Sequence, residues 1–269
     1  MIHLKRLLFH ETTETAYPFS IPAFRREQAI SFERPVTIFI GENGCGKSTL
    51  IDLIAAKTNL YRITKEDKIR RESDAFFRVA AQSVGVEFRL LRPSGFYFSA
   101  EDFSSYIQSL QQEKELAKEE LRRVEHEYRS RSQFARQMAS APFSRTLGEI
   151  KGMYQKDLLT SSHGESYLDF FASRLRKEQL YLLDEPETPL SIQNQLTLIA
   201  MIDQAVADGC QFIIATHSPI LMGIPDADIW EFLEDRLEKT CFSQIESVNL
   251  LRQYLNDPTP FFHHLRDEG

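Results

Sequence analysis

Val36-Thr37-Ile38-Phe39-Ile40, Leu180-Tyr181-Leu182-Leu183 and Phe212-Ile213-Ile214-Ala215 are short, nearly continuous apolar runs. Runs of this length bounded by turn residues predict strands buried on both faces. Helical periodicity lies beside each. One pattern runs from Ser48 to about Ala56, another from Tyr167 to about Lys177. A third places Ile192, Leu196, Ile199, Ile202 and Val206 on one face, from Ser191 to a stop at Gly209. Buried strands alternating with helices predict an α/β fold, with a largely parallel sheet flanked by helices.

The first hundred residues predict a β-rich part. Ile2, Leu4 and Leu7-Leu8-Phe9 suit a first strand, and Tyr17 to Pro22 is extended by its prolines. Val84 to Leu91 and Gly95 to Phe98 predict two more strands, with Pro93-Ser94-Gly95 as the turn between them. The charge-dense stretch from Thr64 to Glu72 reads as a solvated loop or helix face in preference to a nucleic-acid contact.

From about Ser104 to Arg136 the pattern changes. Ile107, Leu110, Lys114, Ala117, Leu121, Val124 and Tyr128 recur at spacings of three and four, a heptad seam marred by Lys114. A helix of this extent is roughly 40–50 Å long. Its seam needs a partner, and self-packing is favoured over an inter-subunit or foreign surface, with a turn expected at Ala135 to Ala141, before Pro142.

Composition narrows the class only modestly. With 269 residues, 42% hydrophobic and 26% charged, the chain suits one large or two small folded domains. No apolar run approaches the roughly 20 residues that span a bilayer, and the N-terminus does not read as a signal peptide. Cys45, Cys210 and Cys241 are far apart, which predicts neither a disulfide framework nor a zinc site and fits a reducing cytoplasm. A net charge of −7 argues against a surface that is basic all over and leaves a local basic groove open.

The chemistry sits at the ends of the three apolar runs. The first leads into Gly41-Glu42-Asn43-Gly44-Cys45-Gly46-Lys47-Ser48-Thr49 and then a helix, the context of a phosphate-binding P-loop. Its glycines let successive N–H groups converge on an anion, and the helix start adds its positive end. Lys47 would reach the β- and γ-phosphates of ATP and Ser48 would ligate Mg²⁺. The second run ends in Asp184, placed to hold Mg²⁺, and Glu185, placed as a general base for water. The third ends in Thr216-His217-Ser218-Pro219, where His217 would hydrogen-bond the γ-phosphate or hold the water-activating group. Ligands of open α/β sheets bind at such strand ends.

Gly-Glu-Asn-Gly-Cys-Gly-Lys-Ser, Ser-His-Gly-Glu at 162–165, Leu-Leu-Asp-Glu-Pro-Glu and Thr-His-Ser-Pro together resemble an ABC-type ATPase. They are similar most of all to the small stand-alone ATPases related to chromosome-maintenance and recombination-repair heads. The resemblance spans about Val36 to Pro219. It implies a head-to-tail homodimer sandwiching two ATP molecules, each held by one P-loop and capped by the partner's signature motif. Ser162, Gly164 and Glu165 match that signature, whereas His163 stands where the family has its first glycine. The family's glutamine that senses Mg²⁺ has no match after Phe98; Glu101 is the substitute expected there, with Gln82 as the alternative. On this reading residues 1–269 are a single ATPase domain. Within it, 1–100 form a β-rich part with the P-loop, 101–178 a helical lobe with the arm and signature, and 179–269 a C-terminal core lobe. The implied role is Mg²⁺-dependent ATP hydrolysis coupled to DNA or a partner protein, in DNA repair or genome defence. The energising subunit of a membrane transporter and a slow nucleotide-gated binding module are the other two classes.

Overall fold

The computed structural model describes residues 1–13, 15–64, 68–89, 92–152 and 163–262. The apolar runs are strands β3 (Val36–Ile40), β7 (Leu180–Asp184) and β8 (Gln211–Ala215), and they lie side by side. Further strands are β1 (Leu4–Phe9), β2 (Gln28–Ser31), β4 (Tyr61–Arg62), β5 (Val84–Phe88), β6 (Gly95–Ser99), β9 (Asp228–Phe232) and β10 (Leu237–Thr240). Among the described residues seven strands form one sheet in the order β10-β9-β3-β8-β7-β6-β4. Every pairing in it is parallel except β9 with β10.

Both faces of this sheet are apolar because successive residues of each strand supply opposite cores. Ile38, Ile40, Tyr181, Leu183, Phe212 and Ile214 face one core. Phe39, Leu180, Leu182, Ile213 and Ala215 face the other, together with Leu50, Leu53 and Ile54 of helix α1 (Lys47–Thr58). That second core also takes in Leu4, Leu7 and Phe9 of a small antiparallel sheet, β2-β1-β5.

The small sheet corrects one expectation. The turn at Pro93-Ser94-Gly95 does not join a hairpin, because β5 pairs with β1 while β6 pairs with β7 in the large sheet. At Gly95 a Cβ would lie 1.8 Å from the Leu180 carbonyl oxygen and φ is +147°. The glycine therefore lets β6 start against β7, rather than turning the chain back. The charge-dense stretch runs into helix α2 (Lys68–Ala80), one of the two forms expected for it, and Phe77 of that helix is buried.

The heptad seam belongs to α3 (Ala100–Glu127), where Ile107, Leu110, Ala117 and Val124 are buried. Helix α4 (Gln133–Gly152) returns along it, so the seam packs within the chain. The chain reverses at 128–132 instead of 135–141, and α4 continues through Pro142. Packing along α3 outweighs the one backbone hydrogen bond that Pro142 cannot donate. At the root of this arm, Phe98 and Phe103 pack with Tyr167 and Phe170 of α5 (His163–Arg174) at ring-centroid distances of 4.8–5.5 Å. Helix α6 (Ile192–Ala207) follows β7, α7 (Pro219–Met222) follows β8, and α8 (Glu246–Asn256) lies beyond β10. Among the described residues no helix is long and apolar enough to cross a membrane.

Candidate functional site

The carboxyl ends of β3, β7 and β8 adjoin at one edge of the sheet. Beyond β3 the chain curls through Gly41 to Gly46 into the N-terminus of α1. Gly41, at φ +145°, faces the start of the loop where a Cβ would come within 2.9 Å of Phe232 Cβ on β9. Gly46 caps α1 at φ +113°, with a Cβ there 3.1 Å from Ile21. Both positions demand glycine for backbone shape and for space. Asn43 and Gly44 form the exposed tip of the loop.

Lys47 is buried, and its ammonium donates to the carbonyls of Gly41 at 3.0 Å and Glu42 at 2.7 Å, with Cys45 Sγ at 3.6 Å. The lysine is thereby centred in the loop it would fill with phosphate. Thr49 is held on the other side by Tyr17, hydroxyl to hydroxyl at 3.0 Å.

Ser48 Oγ donates to Asp184 Oδ1 at 3.0 Å, which joins the P-loop helix to the end of β7. Burial pushes the Asp184 carboxyl up to about 7, against the Ser48 hydrogen bond, with the charges of Asp52 and Glu185 adding to the rise. A hydroxyl and a buried carboxylate make a hard-oxygen pair that fits Mg²⁺, which keeps part of its shell for water and phosphate. Among the described residues no three His, Cys, Asp or Glu side chains converge as a metal cage. Glu101 is exposed in the first turn of α3, two residues past Ser99, which lies opposite Asp184 in register. Gln82 lies in a 3-10 turn (Ala81–Ser83) just before β5, where that turn packs against α1 and α2.

Glu185 has the left-handed backbone (φ +47°), fixed by its N–H to the Ala215 carbonyl at 2.9 Å. Its side chain is half exposed and faces His217, Nε2 to Oε1 at 3.9 Å. The backbone N–H of His217 donates to Glu187 Oε1 at 2.7 Å, and Ser218 Oγ donates to Gln195 on α6. Sequence reading overlooked Glu187, whose place two residues after Glu185 was the available signal. It also overlooked Tyr97, whose hydroxyl donates to Asp184 Oδ2 at 3.5 Å.

Of the signature residues, Ser162 lies outside the described residues. Gly164 is buried in the first turn of α5, where a Cβ would lie 2.6 Å from Asn194 Nδ2 and 3.0 Å from the Pro189 carbonyl. The helix start thus abuts the loop that follows Glu185. Glu165, next along, is exposed.

A mostly parallel sheet with a P-loop after β3, His217 beyond the adjacent β8 and Asp184-Glu185 at the end of β7 defines a P-loop nucleotide-binding protein. The family model for the AAA domain matches residues 19–255, so the chain belongs to that family. Solved structures that it is similar to include the Smc head domain of Pyrococcus furiosus with an extended coiled coil, bound to the C-terminal domain of ScpA. That match has 13% identity, covers 94% of this chain and 99% of the other, and has a TM-score of 0.46. The SMC head domain of Thermotoga maritima has 15% identity, coverage of 89% and 99%, and a TM-score of 0.44. A protein described as a metal-chelate type ABC transporter, in an inward-facing conformation, has 16% identity, coverage of 91% and 85%, and a TM-score of 0.46. No curated protein matches the sequence significantly.

Proposed function

We propose that this chain binds ATP with Mg²⁺ and hydrolyses it to ADP and phosphate, as a head-to-tail homodimer acting in the cytoplasm on DNA or a partner protein. The observation that carries the reading is the convergence of three strand ends, with Ser48 bonded to Asp184 and Glu185 facing His217.

In this reading the loop N–H groups of Gly41 to Thr49 and the N-terminus of α1 take the phosphates. Lys47 exchanges its carbonyl partners for phosphate oxygens. Ser48 and Asp184 hold Mg²⁺, with Glu101 as the candidate from α3. Bound Mg²⁺ supplies charge neutralisation on the phosphate oxygens. Glu185 is exposed enough to meet water and accepts its proton, while His217 hydrogen-bonds the γ-phosphate. Ser162, Gly164 and Glu165 cap the nucleotide of the second copy. The close approach of Gly164 to the Pro189 loop supports this, because one face then presents both segments. A role in DNA repair or genome defence follows from the family resemblance.

The test is Glu185→Gln with ATP and Mg²⁺, followed by phosphate release and size exclusion. Hydrolysis is expected to vanish while an ATP-dependent dimer accumulates. Parental turnover in this variant would remove Glu185 as the base.

A further inference from the structure

We propose that Tyr97 is a positioning residue for Asp184, and that Arg62 holds Tyr97 in place from the root of the arm. This rests on the Mg²⁺ role of Asp184 proposed above.

Asp184 presents two oxygens, and each meets a different hydroxyl. Ser48 donates to Oδ1 at 3.0 Å, and Tyr97 donates to Oδ2 at 3.5 Å. A carboxylate held at one oxygen can still rotate, and a second donor at the other oxygen restricts that rotation. Tyr97 is placed by the sheet itself. It lies opposite Leu182 on the adjacent strand, two residues before Ser99, which lies opposite Asp184. The ring is buried, so the sheet and its packing fix where the hydroxyl points.

The other side of the ring is not closed by an apolar neighbour alone. A cavity of about 610 Å³ opens between α1, α2 and β4, and Tyr97 and Arg62 are part of its wall. Arg62 lies over the Tyr97 ring with its guanidinium carbon 4.2 Å from the centroid. Its Nε donates to Asp102 at 2.7 Å and its Nη1 to Asp52 at 2.5 Å. Burial works against the Arg62 charge, and the carboxylates of Asp52 and Asp102 oppose that. Asp52 is one turn past Ser48 on α1, and Asp102 is in the first turn of α3. One guanidinium therefore fixes the helix that carries the first donor, the ring that carries the second, and the root of the arm. A planar fork is needed for that, which lysine lacks.

The experiment is a Mg²⁺ titration of ATP hydrolysis by Tyr97→Phe and Arg62→Lys, beside nucleotide binding in EDTA and thermal melts. Tyr97→Phe is expected to raise the half-saturating Mg²⁺ concentration about fivefold, the size of one weak hydrogen bond. Excess Mg²⁺ recovers turnover, and metal-free nucleotide affinity stays at the parental value. Arg62→Lys, which keeps the charge and tests the same link independently of Tyr97, shifts the Mg²⁺ curve in the same direction. Lowered melting temperatures with both Mg²⁺ curves on the parental one would overturn the proposal and leave a merely structural cluster. A parent without Mg²⁺-dependent nucleotide binding would instead remove the role of Asp184 itself, before any variant is compared.

Discussion

Asp184 and Glu185 are neighbours in sequence and opposites in environment. Asp184 closes β7 inside the protein, with Ser48 on one oxygen, Tyr97 on the other, and its carboxyl raised to about 7 by burial. Glu185 turns out of the sheet through a left-handed backbone and leaves its side chain half exposed opposite His217. The peptide between them divides the strand end into a dry side suited to a cation and a wet side suited to water. The difference comes from one backbone torsion and one strand neighbour. Chemical type plays no part, since both side chains are carboxylic acids.

The largest way to break this contrast is on the wet side. Removing the carboxylate with Glu185→Gln is expected to cut turnover by about 10²–10⁴-fold, the range for a lost general base. Nucleotide binding, read by equilibrium titration, stays at the parental level because the dry side is untouched.

On the dry side the expected effect is on stability and its pH dependence. The folded Asp184 carboxyl, at about 7, binds its proton more tightly than an unfolded aspartate near pH 4. Without Mg²⁺, the contribution of Asp184 to stability is therefore fully present below about pH 4, falls as pH rises to about 7, and levels off above that. Asp184→Asn flattens this fall and stabilises the metal-free protein at pH 8 by an amount on the order of a few kcal/mol. Urea melts of both proteins from pH 4 to 8 check the sign; a parent-minus-variant stability difference that rises with pH would contradict it.

Glu187 tests whether the wet side depends on support from its own loop. Glu187→Ala frees the N–H of His217 and is expected to lower turnover by about tenfold, in line with a lost charge-assisted hydrogen bond. A His217→Ala change in that background should then cost less than it does alone, in a double-mutant cycle. The smallest effect on stability is expected from Glu185→Gly. It relieves the left-handed backbone and should raise stability by up to about 1 kcal/mol while abolishing turnover.

The strand ends were legible in the sequence because residue type and spacing carry the chemistry locally. Gly41 to Thr49, Asp184-Glu185 and His217 all stand where the apolar runs predict strand ends, and the runs pair as parallel neighbours. What stayed hidden depends on partners distant in the chain. Pro93-Ser94-Gly95 signals a turn, and no local signal says that the strands on either side join different sheets. Arg62, Asp52, Asp102 and Tyr97 look like ordinary surface and strand residues until the fold buries them together. The AAA-domain match to residues 19–255 reaches well past Pro219, and strand β9 within it both pairs with β3 and packs Phe232 against Gly41.

The aromatic joint at the root of the arm has a mechanical consequence. Phe98 and Phe103 interlock with Tyr167 and Phe170, so α5 and the 28-residue α3 share one rigid pivot. At 1.5 Å per residue α3 is a lever of about 42 Å. A tilt of about 10° at the pivot would sweep the far end through about 7 Å, so a slight change at the base becomes a displacement longer than one helical turn.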